Sequence, residues 1–178
     1  NDASVVKLQN IKNYDAKIEI YGKDCVDSEM KAREVARQNE QVYVSPYNDL
    51  DVVAGQGTVG YEINNQCDGL DVIIVSVGGG GLIGGIASYL KSVWPSLYVI
   101  GCSPENSAVM VHSVKKGEIL DLESLPTLSD GTAGGIEKHS ITFPICKDII
   151  DQTILVSEKE IQNGMLKFVE NERMLLEG

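Results

Sequence analysis

Histidine is almost missing from this chain: His112 and His139 are the only two, and they stand in no HxxxH or HExxH spacing. A histidine triad or an imidazole metal centre would have to draw both from distant segments, so neither is expected. Cysteine is sparse and scattered: Cys25, Cys67, Cys102 and Cys146 form no CxxC, which removes zinc-site and redox-motif readings. They read instead as reduced thiols of a cytoplasmic protein. No apolar run approaches the ~20 residues of a membrane span, and the polar start Asn1-Asp2 does not resemble a signal peptide. Basic residues are few, 15 against 26 acidic ones, for a formal charge of −11 and a pI near 4.6. A nucleic-acid binder held by phosphate contacts needs a basic face, so that class is excluded too. Repeats, low-complexity tracts and blocks of like charge are also absent.

What remains is enough for a folded chain. Hydrophobic residues make up 43% of 178, a length that suits one domain or a little more. Periodicity predicts helices over residues 5–14, 28–39 (capped near Asp27), 52–65 (capped by Asn48 or Asp49) and 82–93. Further helices are expected over 107–116, stopped by Gly117, and over 144–150. A last one opens at the capping box Ser157-Glu158-Lys159-Glu160. Strands are expected at 16–21, 41–45, 70–77, 97–102 and 152–156, while 118–139 reads as irregular. The run at 70–77 is rich in β-branched residues (Val72, Ile73, Ile74, Val75 and Val77), the pattern of a parallel strand buried on both faces. Alternation of strand and helix makes this an α/β architecture with a mainly parallel sheet. A boundary is expected near residue 48, leaving a first piece, 1–48, too small for a dependable core of its own.

Glycine is the one surplus, 18 where average usage gives roughly 12. Its sharpest cluster is Gly78-Gly79-Gly80-Gly81, placed between the 70–77 strand and the helix that begins near Leu82. Open α/β sheets bind ligands outside the carboxyl ends of their strands, where the next helix offers unpaired N–H groups and a positive dipole end. Four glycines remove every Cβ there, so the backbone can curl around an anion and aim several donors at it. A phosphate is the natural guest, although no lysine or arginine lies within several residues to meet its charge. Gly79 to Gly84 formally satisfies GxGxxG. The acidic residue a dinucleotide ribose wants is missing, however, because the next strand ends Ile100-Gly101-Cys102-Ser103. A second formal match, Gly55-Gln56-Gly57-Thr58-Val59-Gly60, follows a helix cap rather than a strand and reads as close packing. No Walker A sequence occurs.

Several stretches, taken together, resemble the pyridoxal-phosphate enzymes of the tryptophan-synthase-β fold, specifically the serine/threonine dehydratase and serine racemase group. They are residues 51–63, Val77 through Leu82, Pro104-Glu105-Asn106-Ser107, Leu128-Ser129-Asp130-Gly131-Thr132-Ala133, and Glu172 through Glu177-Gly178. The resemblance covers essentially the whole chain and implies an incomplete, three-layer αβα fold. Residues 1–48 would be part of a small lobe and 49–178 part of the large cofactor-binding domain. It implies that Gly78, Gly79, Gly80, Gly81 and the N–H of Leu82 hold the phosphate of pyridoxal 5′-phosphate. Gly131 would lie against the cofactor ring, with Asp130 and Glu177 nearby in support.

The same resemblance implies a lyase that removes the β-hydroxyl of L-threonine or L-serine to give a 2-oxo acid and ammonia. A homodimer acting on a free amino acid is expected, with no nucleic acid, membrane or metal partner. The group's Schiff-base lysine sits in an SxKxRG motif that this sequence does not contain. The chain therefore reads as an internal fragment without a catalytic residue of its own, inactive in isolation. The acidic positions of the divalent-metal site found in some racemase-type members appear here as Ser103 and Val109, so that site is expected to be lost. Serine racemization remains open as an alternative. So does a non-catalytic module that binds a phosphate ligand, with a nicotinamide dehydrogenase a distant third.

Overall fold

A computed structural model describes residues 4–178. It divides into two compact units, one ending at Tyr43 and the other running from Val44 to Gly178. Among the described residues no helix is long and apolar enough to cross a membrane.

The first unit holds two helices. α1, Val5–Lys12, is capped by Ser4, whose Oγ accepts from Lys7 N at 3.5 Å. α2, Cys25–Gln38, begins earlier than its pattern predicts. Asp24 and Asp27 are three residues apart and form a capping box, with Asp24 as the cap and Asp27 reaching back to the cap's N–H. Segment 16–21 does not form a strand, and neither does 41–45 on either side of the unit boundary. Alternation makes a segment able to pair, but a ladder needs a partner. Val42 stays 90% exposed.

The second unit contains the sheet. After α3 (Leu50–Gln66) come β1 (Val72–Ser76), α4 (Gly81–Val93), β2 (Tyr98–Pro104) and α5 (Val109–Lys116). α6 (Thr142–Ile149), β3 (Gln152–Val156) and α7 (Glu158–Glu172) complete it. The strands are all parallel in the order β1-β2-β3, with Ile74 opposite Ile100 and Ile100 opposite Gln152. One face of the sheet buries Val75 and Val99 in the core with Ile83, Ile86 and Leu90 of α4, and with Met110, Cys146 and Ile149. Full burial of side chains such as Ile83 and Leu90 stabilises by about 1.5–3 kcal/mol each. The opposite face carries Val72, Ile74, Tyr98 and Ile154, all exposed. Within the described residues β1 pairs only with β2 and is covered on one face, where its β-branched run predicts burial on both. Apolar periodicity reports the surface a strand can bury, and these residues cover only half of it.

α3 and α4 cross at contact distance because glycines face each other. A Cβ on Gly60 would lie 2.9 Å from Ile86 O, and one on Gly57 3.3 Å from Gly85 O. A Cβ on Gly85 would overlap the Val53 carbonyl. Gly57 and Gly60 therefore serve helix packing, as their position after a cap implies, while Gly55 stands at an open position. This crossing sets α4 on the sheet and so fixes the direction of its N-terminus.

Candidate functional site

β1 runs directly into the glycine loop. Val77 N still donates to Cys102 O at 2.7 Å, extending the pairing by one residue before the chain turns. Gly80 is the N-cap of α4 with φ 87° and ψ 0°, a left-handed conformation that glycine adopts without strain. The first bond of the helix is Gly84 N–H donating to Gly80 O at 2.9 Å. The N–H groups of Gly80, Gly81, Leu82 and Ile83 precede it and have no acceptor within the helix. They sit at the positive end of the α4 dipole.

The four glycines are demanded from behind by the protein itself. A Cβ on Gly78 would lie 2.7 Å from Thr132 O, and one on Gly79 would overlap the ring of Tyr47. On Gly80 it would lie 2.6 Å from Cys146 Sγ and 3.0 Å from Met110 Cε, and on Gly81 3.0 Å from Tyr47 Cα. The absent side chains make room for packing on one side rather than simply clearing a space around an anion. Three carbonyls are anchored on that side as well. Ser103 Oγ donates to Val77 O at 2.5 Å, Thr142 Oγ1 donates to Gly79 O at 2.5 Å, and Cys146 Sγ lies 3.8 Å from Gly80 O. In a trans peptide the C=O and the following N–H point in opposite directions. Anchoring the carbonyls of 77, 79 and 80 therefore turns the N–H groups of Gly78, Gly80 and Gly81 away from the packed side.

The wall behind the loop is itself fixed. The Tyr47 hydroxyl accepts from Glu137 N at 2.9 Å, and Asn48 Oδ1 accepts from Ile141 N at 2.9 Å. Burial pushes the Cys146 thiol up to about 12, so it sits neutral beneath the loop at physiological pH.

The other residues singled out from sequence lie close by. Asp130–Thr132 forms a single 3₁₀ turn, closed by Thr132 N–H donating to Ser129 O at 3.1 Å and by paired Ser129 and Thr132 hydroxyls at 2.9 Å. Thr132 is the residue that backs Gly78, so this turn abuts the loop. Gly131, exposed on the turn, has nothing within 4 Å of where a Cβ would stand, and its φ is not positive. At the end of the chain Gly178 packs on the Leu128 carbonyl and Ser129 N, just before the same turn, and the preceding Glu177 is exposed. Loop, turn and C-terminal segment are thus neighbours. The N–H of Leu82 is one of the four without an acceptor in the helix, and its side chain is 36% exposed.

Tyr47, Ser103, Thr132, Thr142 and Cys146 were not legible as site residues. Each is a single hydroxyl, ring or thiol with no spacing pattern to announce it. Ser103, which the resemblance sets at a metal-binding position, is engaged with Val77 O, and Val109 is buried. Among the described residues no cluster of His, Cys, Asp and Glu could hold a metal ion. A groove of about 700 Å³ lies elsewhere, along α3 and α4, lined by Leu50, Ala54, Thr58, Tyr61 and Tyr89 and by none of the loop glycines.

The family described as pyridoxal-phosphate dependent enzyme matches residues 1–178. The chain is 36% identical over 166 residues to the catabolic L-threonine dehydratase of Escherichia coli strain K12, covering 93% of this chain and 50% of that one. Its structure resembles threonine deaminase isoform 2 of Solanum lycopersicum with a TM-score of 0.86 at 30% identity, covering 99% of this chain and 51% of that one. It resembles maize serine racemase with a TM-score of 0.87 at 29% identity, covering 97% and 54% respectively. The chain spans about half the length of the curated relatives it matches. A match that takes in the glycine loop, the 130–132 turn and the C-terminal segment in one span, over every residue of the sequence, shows that the chain belongs to the pyridoxal-phosphate dependent enzymes.

Proposed function

We propose that the 78–81 loop holds the phosphate of pyridoxal 5′-phosphate, and that the whole protein is a dehydratase, an ammonia-lyase. It would convert L-threonine or L-serine by β-elimination to a 2-oxo acid and ammonia. The observation that carries this reading is the two-sided loop: packed and anchored behind, it leaves a row of N–H donors facing forward at a helix N-terminus. The fit to a phosphate is by dipoles, since the sequence has no lysine or arginine between Arg37 and Lys91. Gly78, Gly79, Gly80, Gly81 and the N–H of Leu82 bind and orient the phosphate. Gly131, whose missing side chain nothing in the protein requires, leaves room for the ring, with Asp130 and Glu177 flanking it. When bound, the cofactor supplies an electron sink that acidifies the Cα–H of an amino acid substrate. Residues 1–48 belong to a small lobe and 49–178 to the large domain. These 178 residues are one portion of the enzyme, and the lysine that carries the cofactor lies in the other. A cytoplasmic homodimer is the form in which the enzyme works, as the family resemblance implies, and no disulfide joins its four cysteines.

The test is product analysis on the whole protein. With pyridoxal phosphate present, L-threonine yields 2-oxobutyrate or L-serine yields pyruvate, read by a coupled NADH assay. D-serine as the main product would favour the racemase reading, which the likeness to maize serine racemase keeps in view. Binding of the cofactor without any product would favour a non-catalytic role. The 178-residue chain alone is expected to bind pyridoxal phosphate without a borohydride-reducible adduct. An adduct lost on mutating one of its own lysines would overturn that part.

A further inference from the structure

We propose that Thr142 is a positioning residue for the phosphate. From the first turn of α6 its hydroxyl holds the Gly79 carbonyl back, and so aims the Gly80 N–H at the anion. The inference rests on reading 78–81 as a phosphate cup and adds what orients it. The peptide between Gly79 and Gly80 has glycine on both sides. The freedom that lets a glycine backbone approach a phosphate also lets that peptide turn over, because neither flanking residue has a Cβ to resist it. Turned over, it would present a carbonyl oxygen to the anion in place of a donor. Something outside the loop must choose the direction, and Thr142 is placed to do so.

The geometry leaves one reading of the hydroxyl. Thr142 is wholly buried, and its Oγ1 donates to Gly79 O at 2.5 Å. A threonine hydroxyl has one proton. The 2.6 Å contact with Ser140 Oγ therefore has Ser140 donating and Thr142 accepting, while Ser140 Oγ accepts from Thr142 N at 3.3 Å. Both hydroxyls are satisfied without water, and neither can turn without breaking a buried bond. Residues 47 and 48 fix the start of α6 from the other side: Asn48 accepts from Ile141 N, and Tyr47 packs on Gly79 and Gly81. Ser103 treats the neighbouring peptide alike, donating to Val77 O at 2.5 Å and so turning the Gly78 N–H forward.

The experiment compares pyridoxal phosphate with pyridoxal, which lacks only the phosphate, as ligands of the whole protein. Affinities are measured calorimetrically for wild type, Thr142→Val and Thr142→Ser, with near-ultraviolet dichroism of each free protein as a check of folding. Thr142→Val keeps the shape and removes the donor. It should bind pyridoxal phosphate about 10-fold more weakly and pyridoxal as before, a loss on the scale of one buried hydrogen bond. Thr142→Ser, which restores the donor, should recover the preference. A Thr142→Val variant that still prefers the phosphorylated ligand by the wild-type ratio, or that loses both ligands equally, overturns the proposal. Should Thr142→Val not fold, Thr142→Ala, which also removes the donor, is measured in its place and decides the matter by the same ratio, and an unchanged ratio there overturns it. A wild-type protein with no preference for the phosphorylated ligand removes the cup itself, and the proposal with it. A preference that survives the variants removes only the role of Thr142.

Discussion

Gly80→Ala separates the two demands on the loop. The new methyl group meets two penalties. Gly80 has φ 87°, where an L-residue costs about 1–2 kcal/mol. Its Cβ would stand 2.6 Å from Cys146 Sγ and 3.0 Å from Met110 Cε, an overlap of the overpacking kind that costs about 1–3 kcal/mol. The smaller entropy of the unfolded chain returns about 0.4–1 kcal/mol. The net loss should be about 1–4.5 kcal/mol, read from urea unfolding of the whole protein without ligand. Combining it with Cys146→Ala removes the atom in the way but not the φ penalty. The double variant should therefore be more stable than the sum of the two single losses, by about 1–2 kcal/mol. Gly131→Ala is the control. With nothing within 4 Å of its Cβ and an ordinary φ, it should alter stability by no more than about 0.5 kcal/mol, yet weaken pyridoxal phosphate. Strictly additive losses for Gly80 and Cys146 would refute the packed wall. A Gly131→Ala protein with wild-type affinity would refute the placement of the ring.

Three further outcomes follow from other parts of the chain. Gly55→Ala, at an open position on α3, should stabilise by about 0.5–1 kcal/mol through helix propensity, whereas Gly85→Ala should prevent the α3–α4 crossing and abolish cooperative melting. Burial works against ionisation of Asp151, but hydrogen bonds from Lys91 (2.8 Å) and Val99 N (2.7 Å) outweigh it and hold the carboxyl below its ordinary 3.8. Its contribution, under about 1 kcal/mol for so exposed a pair, is present above pH ~4 and lost as pH falls through the lower folded-state value, so Asp151→Asn should cost stability at pH 7 and progressively less as pH falls below ~4. Iodoacetamide at pH 8 should label exposed Cys67 quickly, and Cys146, buried and raised to about 12, only after unfolding, as mass mapping of the labelled sites would show.

Local demands were legible in the sequence and non-local ones were not. Asp49 caps α3, Gly117 stops α5 in a left-handed conformation with φ 87°, and the Ser157–Glu160 box opens α7, because each is decided within four residues. β3 falls at 152–156 as its pattern predicts. The start of α2 was misplaced because Asp24 and Asp27 both suit a cap, and only the folded turn assigns one to each end of the box. Segments 16–21 and 41–45 alternate like strands but have no ladder, since alternation names a face and not a partner. The glycine loop was legible as a run of missing side chains, although only Gly80, at φ 87°, answers a demand of its own backbone. Its anchors were not, because Ser103 meets Val77 across 26 residues and Thr142 meets Gly79 across 63.

That division bears on what a glycine run can tell. Behind residues 78–81 the protein alone would exclude side chains, since Thr132, Tyr47 and Cys146 occupy every direction a Cβ could take. The run by itself is therefore equally consistent with a turn that binds nothing. An empty Cβ position is no better on its own, because Gly55 and Gly164 within helices and Gly69 outside them have one too. What distinguishes a binding loop is direction together with place. Three carbonyls are drawn back by side chains from β2 and α6, which commits the N–H groups to the other side. Gly131, a glycine for which packing gives no reason, stands on the turn that abuts that loop. A packed turn would need neither, whereas a phosphate with a ring attached accounts for both.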